Sequence, residues 1–337
     1  MNYKGISIVH LEKGLDVSFN GNETNREVVF SFDSNKKFIQ KFTYPVDICS
    51  PTIEHTLENT NSKVYVREKC FFYYSFYFQI SYAHYLTQCL PKLKYYLSDP
   101  SKTLVIPRST YTKLCKNIFD LIGLNGAKLL ILEDNVEYIF DDIQTIEHIG
   151  DEWEGVGGKV NNAGVDMYAK IRDSLKLSSN ENPHRKVYLK RDGKSNTSYG
   201  NGEVGVLRRI DNEDELVNLL IENGFEIIEL GNKSIEEKSE CLRDIHTVIT
   251  QLGANCMNLI FSNSIKNVLL LSNDSPVGQD YYFDIIDKVN PIQSNKLMIT
   301  SISSTIHADP KNETNNPFSM DLNKIQKYLC DIEETNL

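Results

Sequence analysis

From Lys186 to Leu271 the chain alternates short apolar runs with amphipathic stretches, and that rhythm restricts the fold more than any other feature of the sequence. "KVYLKR", "FEIIEL", "TVITQ" and "NVLLLS" read as strands, and "DNEDELVNLLIENG", "SIEEKSECLRDI" and "ANCMNLIFS" between them read as helices. Strands joined through helices run parallel, because a parallel connection needs a long crossover. The helix ends carry their own signals. Asp211 is the expected N-cap and Gly224 the stop of the first helix, while Ser234 and Glu237 form a capping box on the second. A Rossmann-like domain is expected here.

The first half repeats the rhythm less cleanly. "GISIVHL", "REVVFSF" and "KFIQKFTY" read as strands and hairpins separated by Asn, Gly, Asp and Ser. An aromatic-rich segment follows, in which Leu86, Leu90, Leu93 and Leu97 have helical spacing and Pro91 kinks or restarts the helix. "TLVIP", "YTKLCKNIFDLIGL" and "AKLLILE" then give strand, helix and strand, so a parallel sheet is expected in each half. "GDEWEGVGGKVNNAG" reads as a mobile loop; it lacks the Lys-Ser/Thr ending of a phosphate-cradling glycine loop. A helix over 165–177 and the polar "SSNENPH" linker close this half. The expected division is an α/β domain over 1–180, a Rossmann-like domain over 185–310, and a tail over 311–337 whose helix packs back on the body.

Composition narrows the function. At 337 residues and 40% hydrophobic the chain can bury a core large enough for two domains. A net charge of −10 disfavours a general nucleic-acid surface, which needs concentrated cations. Seven scattered cysteines without a CxxC pair fit reduced thiols better than disulfides or a zinc site. Lys4, Glu12, Lys13 and Asp16 interrupt any signal peptide, and no run reaches the ~20 apolar residues of a membrane span. A cytoplasmic protein is expected.

The chemistry-bearing residues collect at one end of the second sheet. In "VITQLGANCMNLIF" an apolar run stops at Gly253-Ala254-Asn255 and another follows at once. Gly253 lets the backbone approach a ligand, and N–H groups of the helix beginning near Asn255 would face an anion. A purely structural corner is the alternative. Lys190 and Arg191 end the strand "KVYLKR", and Arg208-Arg209 follow a Gly/Ser/Asn loop. Cations gathered there suit a diphosphate, to which guanidinium groups make charge-assisted contacts. In the first half His84 opens a helix with Gln88 one turn on, beside Tyr82 and other aromatic rings suited to stacking on a sugar. Its imidazole can accept a proton near neutrality.

The order "YAHYLTQCLPKL … VYLKR … RRIDNEDELVNLLIENGFEIIEL … ITQLGANCMNLIF … NVLLL" resembles glycosyltransferase family 61 over roughly residues 70–275. By motif position Arg191 matches the family's strand-end arginine. Arg208, Asn212 and Glu213 match its Arg-x-x-x-Asn-Glu element, and Gly253 and Ala254 its His-Gly-Ala turn. The resemblance implies an α/β fold of GT-B type, with two Rossmann-like domains facing a central cleft. It implies inverting transfer from a nucleotide sugar, with a UDP-linked sugar expected, to a glycan or lipid-linked glycan hydroxyl, without metal or other cofactor. Donor-binding residues are then Lys190, Arg191, Arg208, Asn212, Glu213, Gly253, Ala254, Asn255 and Asn258. His84 is the candidate base, and Tyr82 and Gln88 lie on the acceptor side. With no span to anchor it, the protein would work in the cytoplasm, at the membrane surface where the acceptor is lipid-linked.

Two positions depart from the family. Leu252 replaces the histidine before Gly-Ala, and Lys190 replaces the serine before Arg191. The rival reading is therefore a catalytically weak or inactive relative that binds glycan or nucleotide. A nucleotide-dependent oxidoreductase is disfavoured by the missing GxGxxG after an early strand.

Overall fold

The computed structural model describes residues 2–19, 22–32, 62–74, 82–108, 111, 115–146, 162–177, 182–191, 210–231, 233–262, 264–273, 284, 286–288, 298–304 and 318–335. These fall in two units, one through residue 146 together with 162–167, the other from Tyr168 onward. The expected strand "KFIQKFTY", the glycines 155, 157 and 158, and Arg208 lie outside the described residues.

In the first unit, β1 (Asn2–Tyr3), β2 (Ile6–Phe19), β3 (Asn22–Phe32), β4 (Ser62–Phe72), β5 (Thr103–Pro107), β6 (Leu129–Leu132) and β7 (Val136–Thr145) build a seven-stranded sheet among the described residues. Its order is β3-β2-β7-β4-β5-β6, with β1 also on β7. The sheet is mixed: β7, β4, β5 and β6 run parallel, as the βαβ rhythm leads one to expect, whereas β1, β2 and β3 join antiparallel, with β2 and β3 forming an expected hairpin. Only Asn20-Gly21 separates β2 from β3, and a connection that short permits antiparallel pairing alone. Helix α1 (Lys116–Leu121) supplies the expected crossover between β5 and β6.

The leucine-spaced segment 82–97 is helical but irregular. One α-turn (Tyr82–His84) passes into a π-helical turn (Tyr85–Cys89), a 3-10 turn (Leu90–Lys92) and an α-helical end (Leu93–Leu97). Pro91 has no N–H to give and sits in the 3-10 turn, where the helix restarts. Leu86, Leu90 and Leu93 are fully buried.

Helix α2 (Asn162–Ser174) leads into the second unit, whose strands are β8 (Arg185–Lys190), β9 (Glu226–Glu229), β10 (Ile245–Gln251), β11 (Asn267–Asn273) and β12 (Met298–Ser304). They lie in the order β12-β11-β10-β8-β9, every pair parallel. The inner strands are largely buried, β8 over Val187–Leu189 and β10 over most of its length, as strands covered on both faces must be. Tyr188, Ile249, Leu269 and Leu271 share one face with Leu216 and Leu220 of α3 (Glu213–Glu222). Helix α4 (Ile235–Cys241) begins with the expected capping box, in which Ser234 Oγ accepts from the Glu237 N–H and Glu237 Oε2 accepts from the Ser234 N–H. A 3-10 helix (Ala254–Phe261) follows β10. Helix α5 (Leu322–Thr335) adds Ile325, Tyr328, Leu329 and Ile332, spaced three and four apart, to the α3 core.

One cap differs from expectation. Asn212, not Asp211, precedes α3, and its side chain does not cap the helix. Its amide is taken up by the tail: Nδ2 donates to the Met320 carbonyl at 3.0 Å and Oδ1 accepts from the Met320 N–H at 2.8 Å. The helix start is instead favoured by Glu213, Asp214 and Glu215 in its first turn. Gly224, at φ 78°, stops it as expected.

At the other edge Arg185 grips Glu226 with two parallel bonds, Nε to Oε1 at 2.8 Å and a terminal nitrogen to Oε2 at 2.6 Å, fastening β8 to β9. The guanidinium holds the Glu226 carboxyl below the usual carboxylate range. A carboxylate with a depressed folded pKa contributes stability above its unfolded value, near ~4.3, and loses it as pH falls through the folded value. The stability gap between the parent and Glu226→Gln should therefore be present at pH 7 and shrink towards pH 3. Urea midpoints at the two pH values measure it, and a gap independent of pH would contradict the assignment.

Candidate functional site

The strand order of the second unit holds one reversal. From β8 the chain steps to β9 on one side, then crosses back to β10 on the other and continues outward through β11 to β12. In an open parallel sheet, ligands bind outside the carboxyl ends of the strands where the order reverses. The reversal point lies between β8 and β10. Those strands end in Leu189-Lys190-Arg191 and in Gln251-Leu252-Gly253.

The two strand ends part there. Thr250 is the last β10 residue in register with β8, opposite Leu189, while Gln251 still pairs with Leu271 of β11. Leu252 then gives its N–H to the Leu271 carbonyl at 2.8 Å. Gly253 turns the chain at φ 136° and ψ −156°, a conformation open in practice only to glycine, and the 3-10 helix begins. The Gly253 carbonyl accepts from the Cys256 N–H at 3.0 Å, and Cys256 Sγ donates to the Gln251 carbonyl at 3.2 Å. Asn255 and Asn258 brace the turn: Asn255 Nδ2 donates to the Leu189 carbonyl at 2.9 Å, and Asn258 Nδ2 donates to Asn255 Oδ1 at 3.1 Å. The side chain of Ala254 lies outside the described residues.

Charge is arranged around the β8 end. Arg191 follows the strand, half-buried. Lys190 Nζ stands 4.0 Å from Glu213 Oε2, at the outer limit of an ion pair. Glu213 opens α3, and its other oxygen accepts from the Tyr188 hydroxyl at 2.8 Å. Burial, reinforced by Glu213, pushes the Tyr188 phenol well above its usual pKa, so it remains a donor. Lys190, Arg191, Glu213, Gly253 and Asn255 are thus assembled around one strand reversal. Asn212 opens the same helix but spends its amide on Met320.

The first unit holds the remaining sequence candidates. His84 ends the α-turn Tyr82–His84, and its side chain lies outside the described residues. Tyr82 is half-buried and Gln88 is buried inside the π-helical turn. Sequence reasoning missed Tyr188, which reads as a core aromatic and is one, yet carries its hydroxyl to Glu213. Thr250, where the expected turn begins, turns its Oγ1 to the Leu189 carbonyl at 3.4 Å.

A cavity of about 110 Å³ in the second unit offers a different location, lined by Lys176, Ser239, Leu242, Arg243, Phe261 and Ser262 among others. It sits at the C-terminal ends of α2, α4 and the 3-10 helix. Carbonyl ends of helices repel an anion and explain why cations gather there. Among the described residues no group of three or more His, Cys, Asp or Glu side chains is placed to hold a metal ion, and no helix is long and apolar enough to cross a membrane.

Residues 82–269 match the family model described as Glycosyltransferase 61, more than half of the chain, and the matched span contains both strand ends of the reversal point. No curated protein matches the chain.

The backbone at Gly253 yields a test of the turn itself. An L-residue held at that φ and ψ is strained by about 1–3 kcal/mol. Gly253→Ala should lower unfolding stability by that amount in a denaturant titration. A variant as stable as the parent would mean the turn is not held in this conformation.

Proposed function

The chain belongs to glycosyltransferase family 61, and from that membership we propose an inverting transferase that moves a sugar from a nucleotide-sugar donor to a glycan hydroxyl. The observation that carries the reading is the reversal point of the all-parallel sheet, where Arg191 leaves β8 beside the Gly253 turn. In the proposed reaction the acceptor oxygen attacks the anomeric carbon from the face opposite the leaving group. The bond from that carbon to the diphosphate oxygen breaks, and a base removes the hydroxyl proton. His84 is the proposed base.

The departing diphosphate gathers negative charge, so the donor site needs preorganised positive charge more than it needs a nucleophile. Arg191, Lys190 and Arg208 are proposed for that role, with main-chain N–H groups of the Gly253-Ala254 turn. Glu213, an anion, is suited to accepting from ligand hydroxyls and to steadying Lys190, not to the phosphates. Asn258, buried, and Asn212, tied to Met320, support the site from behind. We further propose a UDP-linked donor, a GT-B arrangement of two Rossmann-like units, and chemistry without metal. Tyr82 and Gln88 would serve the acceptor, a glycan or a lipid-linked glycan reached from the cytoplasmic membrane surface.

A second reading, a family member that binds nucleotide or glycan with little turnover, has one specific observation in its favour. Leu252, where the family carries histidine, is buried at 6% exposure and gives the site no polar side chain. Slow hydrolysis of a nucleotide sugar separates the two, since a transferase leaks to water and a binding module does not.

Removing one charge-assisted contact from a diphosphate costs about 1.5–3 kcal/mol. Arg191→Ala should weaken nucleoside-diphosphate binding by that amount in calorimetry while the protein stays folded. Unchanged affinity would take Arg191 out of the donor site, and a parent protein that neither binds nor hydrolyses any nucleotide sugar would overturn the reading.

A further inference from the structure

Asn255 lies in the donor turn, but its amide is directed into the protein. Nδ2 donates to the Leu189 carbonyl at 2.9 Å and stands 3.2 Å from Thr250 Oγ1. Oδ1 accepts from Asn258 Nδ2 at 3.1 Å, and the same Nδ2 reaches the Asn255 carbonyl at 3.0 Å. Both ends of the amide are engaged before any ligand arrives.

The location of these bonds gives them a consequence. β10 stays in register with β8 only as far as Thr250, and Leu252 turns its N–H to β11. At this last paired position the Leu189 carbonyl is also met by side chains, Asn255 Nδ2 at 2.9 Å and Thr250 Oγ1 at 3.4 Å. Leu189 lies two residues before Arg191, and Asn255 two residues after Gly253. One side-chain amide thus joins the segment that carries the strand-end arginine to the segment that carries the glycine turn, across the point where the sheet opens.

We propose that Asn255 is a positioning residue of the donor site: it fixes the spacing between Arg191 and the Gly253 turn and makes no contact with the donor itself. The proposal rests on the donor reading above. It states how the two parts of that site are brought into register in this chain. Because Asn255 acts through Arg191, its contribution to nucleotide affinity should exist only while Arg191 is present. A direct contact, or a general loosening of the fold, would weaken affinity whether or not the arginine is there.

A double-mutant cycle on the full chain reads this difference, because residues acting through one another are non-additive. Affinities for UDP, GDP, CDP and ADP are measured by calorimetry in the parent, Asn255→Ala, Arg191→Ala and the double variant. The expected result is a loss of roughly tenfold for Asn255→Ala in the parent, as for one well-made hydrogen bond, and less than about twofold in the Arg191→Ala background. Asn255→Asp keeps the acceptor for Asn258 but turns an oxygen towards the Leu189 carbonyl, and should bind at least as weakly as Asn255→Ala. Equal losses in both backgrounds, or no loss in either, would overturn the proposal. Should Asn255→Ala fail to fold, Thr250→Val removes the second donor to Leu189 without changing side-chain size. The same cycle with that variant then decides, additivity again overturning the proposal. A parent that binds none of the four diphosphates sinks the donor reading itself, an outcome distinct from additivity.

Discussion

Everything at the candidate site depends on how β10 ends. A strand in the middle of a parallel sheet has a neighbour on each side, and it cannot leave both at the same residue without stranding donors and acceptors in a buried place. Here the departure is staggered. Pairing with β8 stops at Thr250, pairing with β11 runs on through the Leu252 N–H, and Gly253 then takes a backbone conformation that side chains forbid. The stagger parts β10 from β8 one step before it parts from β11. Two side chains, Thr250 and Asn255, also reach the Leu189 carbonyl there.

The same edge shows how a chain of net charge −10 can present a place for an anion. Long-range charge is screened within about 10 Å at moderate salt, so groups inside that distance decide local affinity. Lys190 is partly offset by Glu213, which is itself anchored by Tyr188 and lies at the N-terminal end of α3. Arg191 stands next in the chain, beyond the last paired residue of β8. Under the proposed function this distribution would separate two chemistries: cationic and N–H groups for phosphate oxygens, and a carboxylate for hydroxyls. A nucleotide sugar has both.

The second sheet was legible because its strands and helices announce themselves. β8, β9, β10 and β11 are short apolar runs bounded by capping and stop residues, and a sheet buried on both faces needs that pattern. The first sheet was less legible. β7, which pairs with both β2 and β4, reads "VEYIFDDIQT", and Asp141-Asp142 break its apolar run although the strand continues through them. β4 is exposed over most of its first eight residues, so no alternation marked it. The local signal points to Asp211 as the cap of α3, but the cap position is Asn212, whose amide the tail engages from more than a hundred positions away. The roles of the Tyr188 hydroxyl and the Asn255 amide are hidden for a related reason. A residue type tells what a side chain can bond, but only the fold tells which of its atoms are already used.

That distinction also changes the meaning of the family's missing histidine. If the side chain at 252 faced the ligand, leucine there would leave a gap in the donor site. In this chain it faces inward, 6% exposed, while its main chain completes the link to Leu271. A histidine in the same orientation would have to bury its imidazole, which favours the neutral ring and costs stability unless a partner is found. Position 252 therefore serves here in the main-chain link from β10 to β11, and in the proposed site the polar contacts would come from groups on either side of it. Main-chain N–H groups lie after Gly253, a guanidinium lies at the end of β8, and the Asn255 amide holds the two in register.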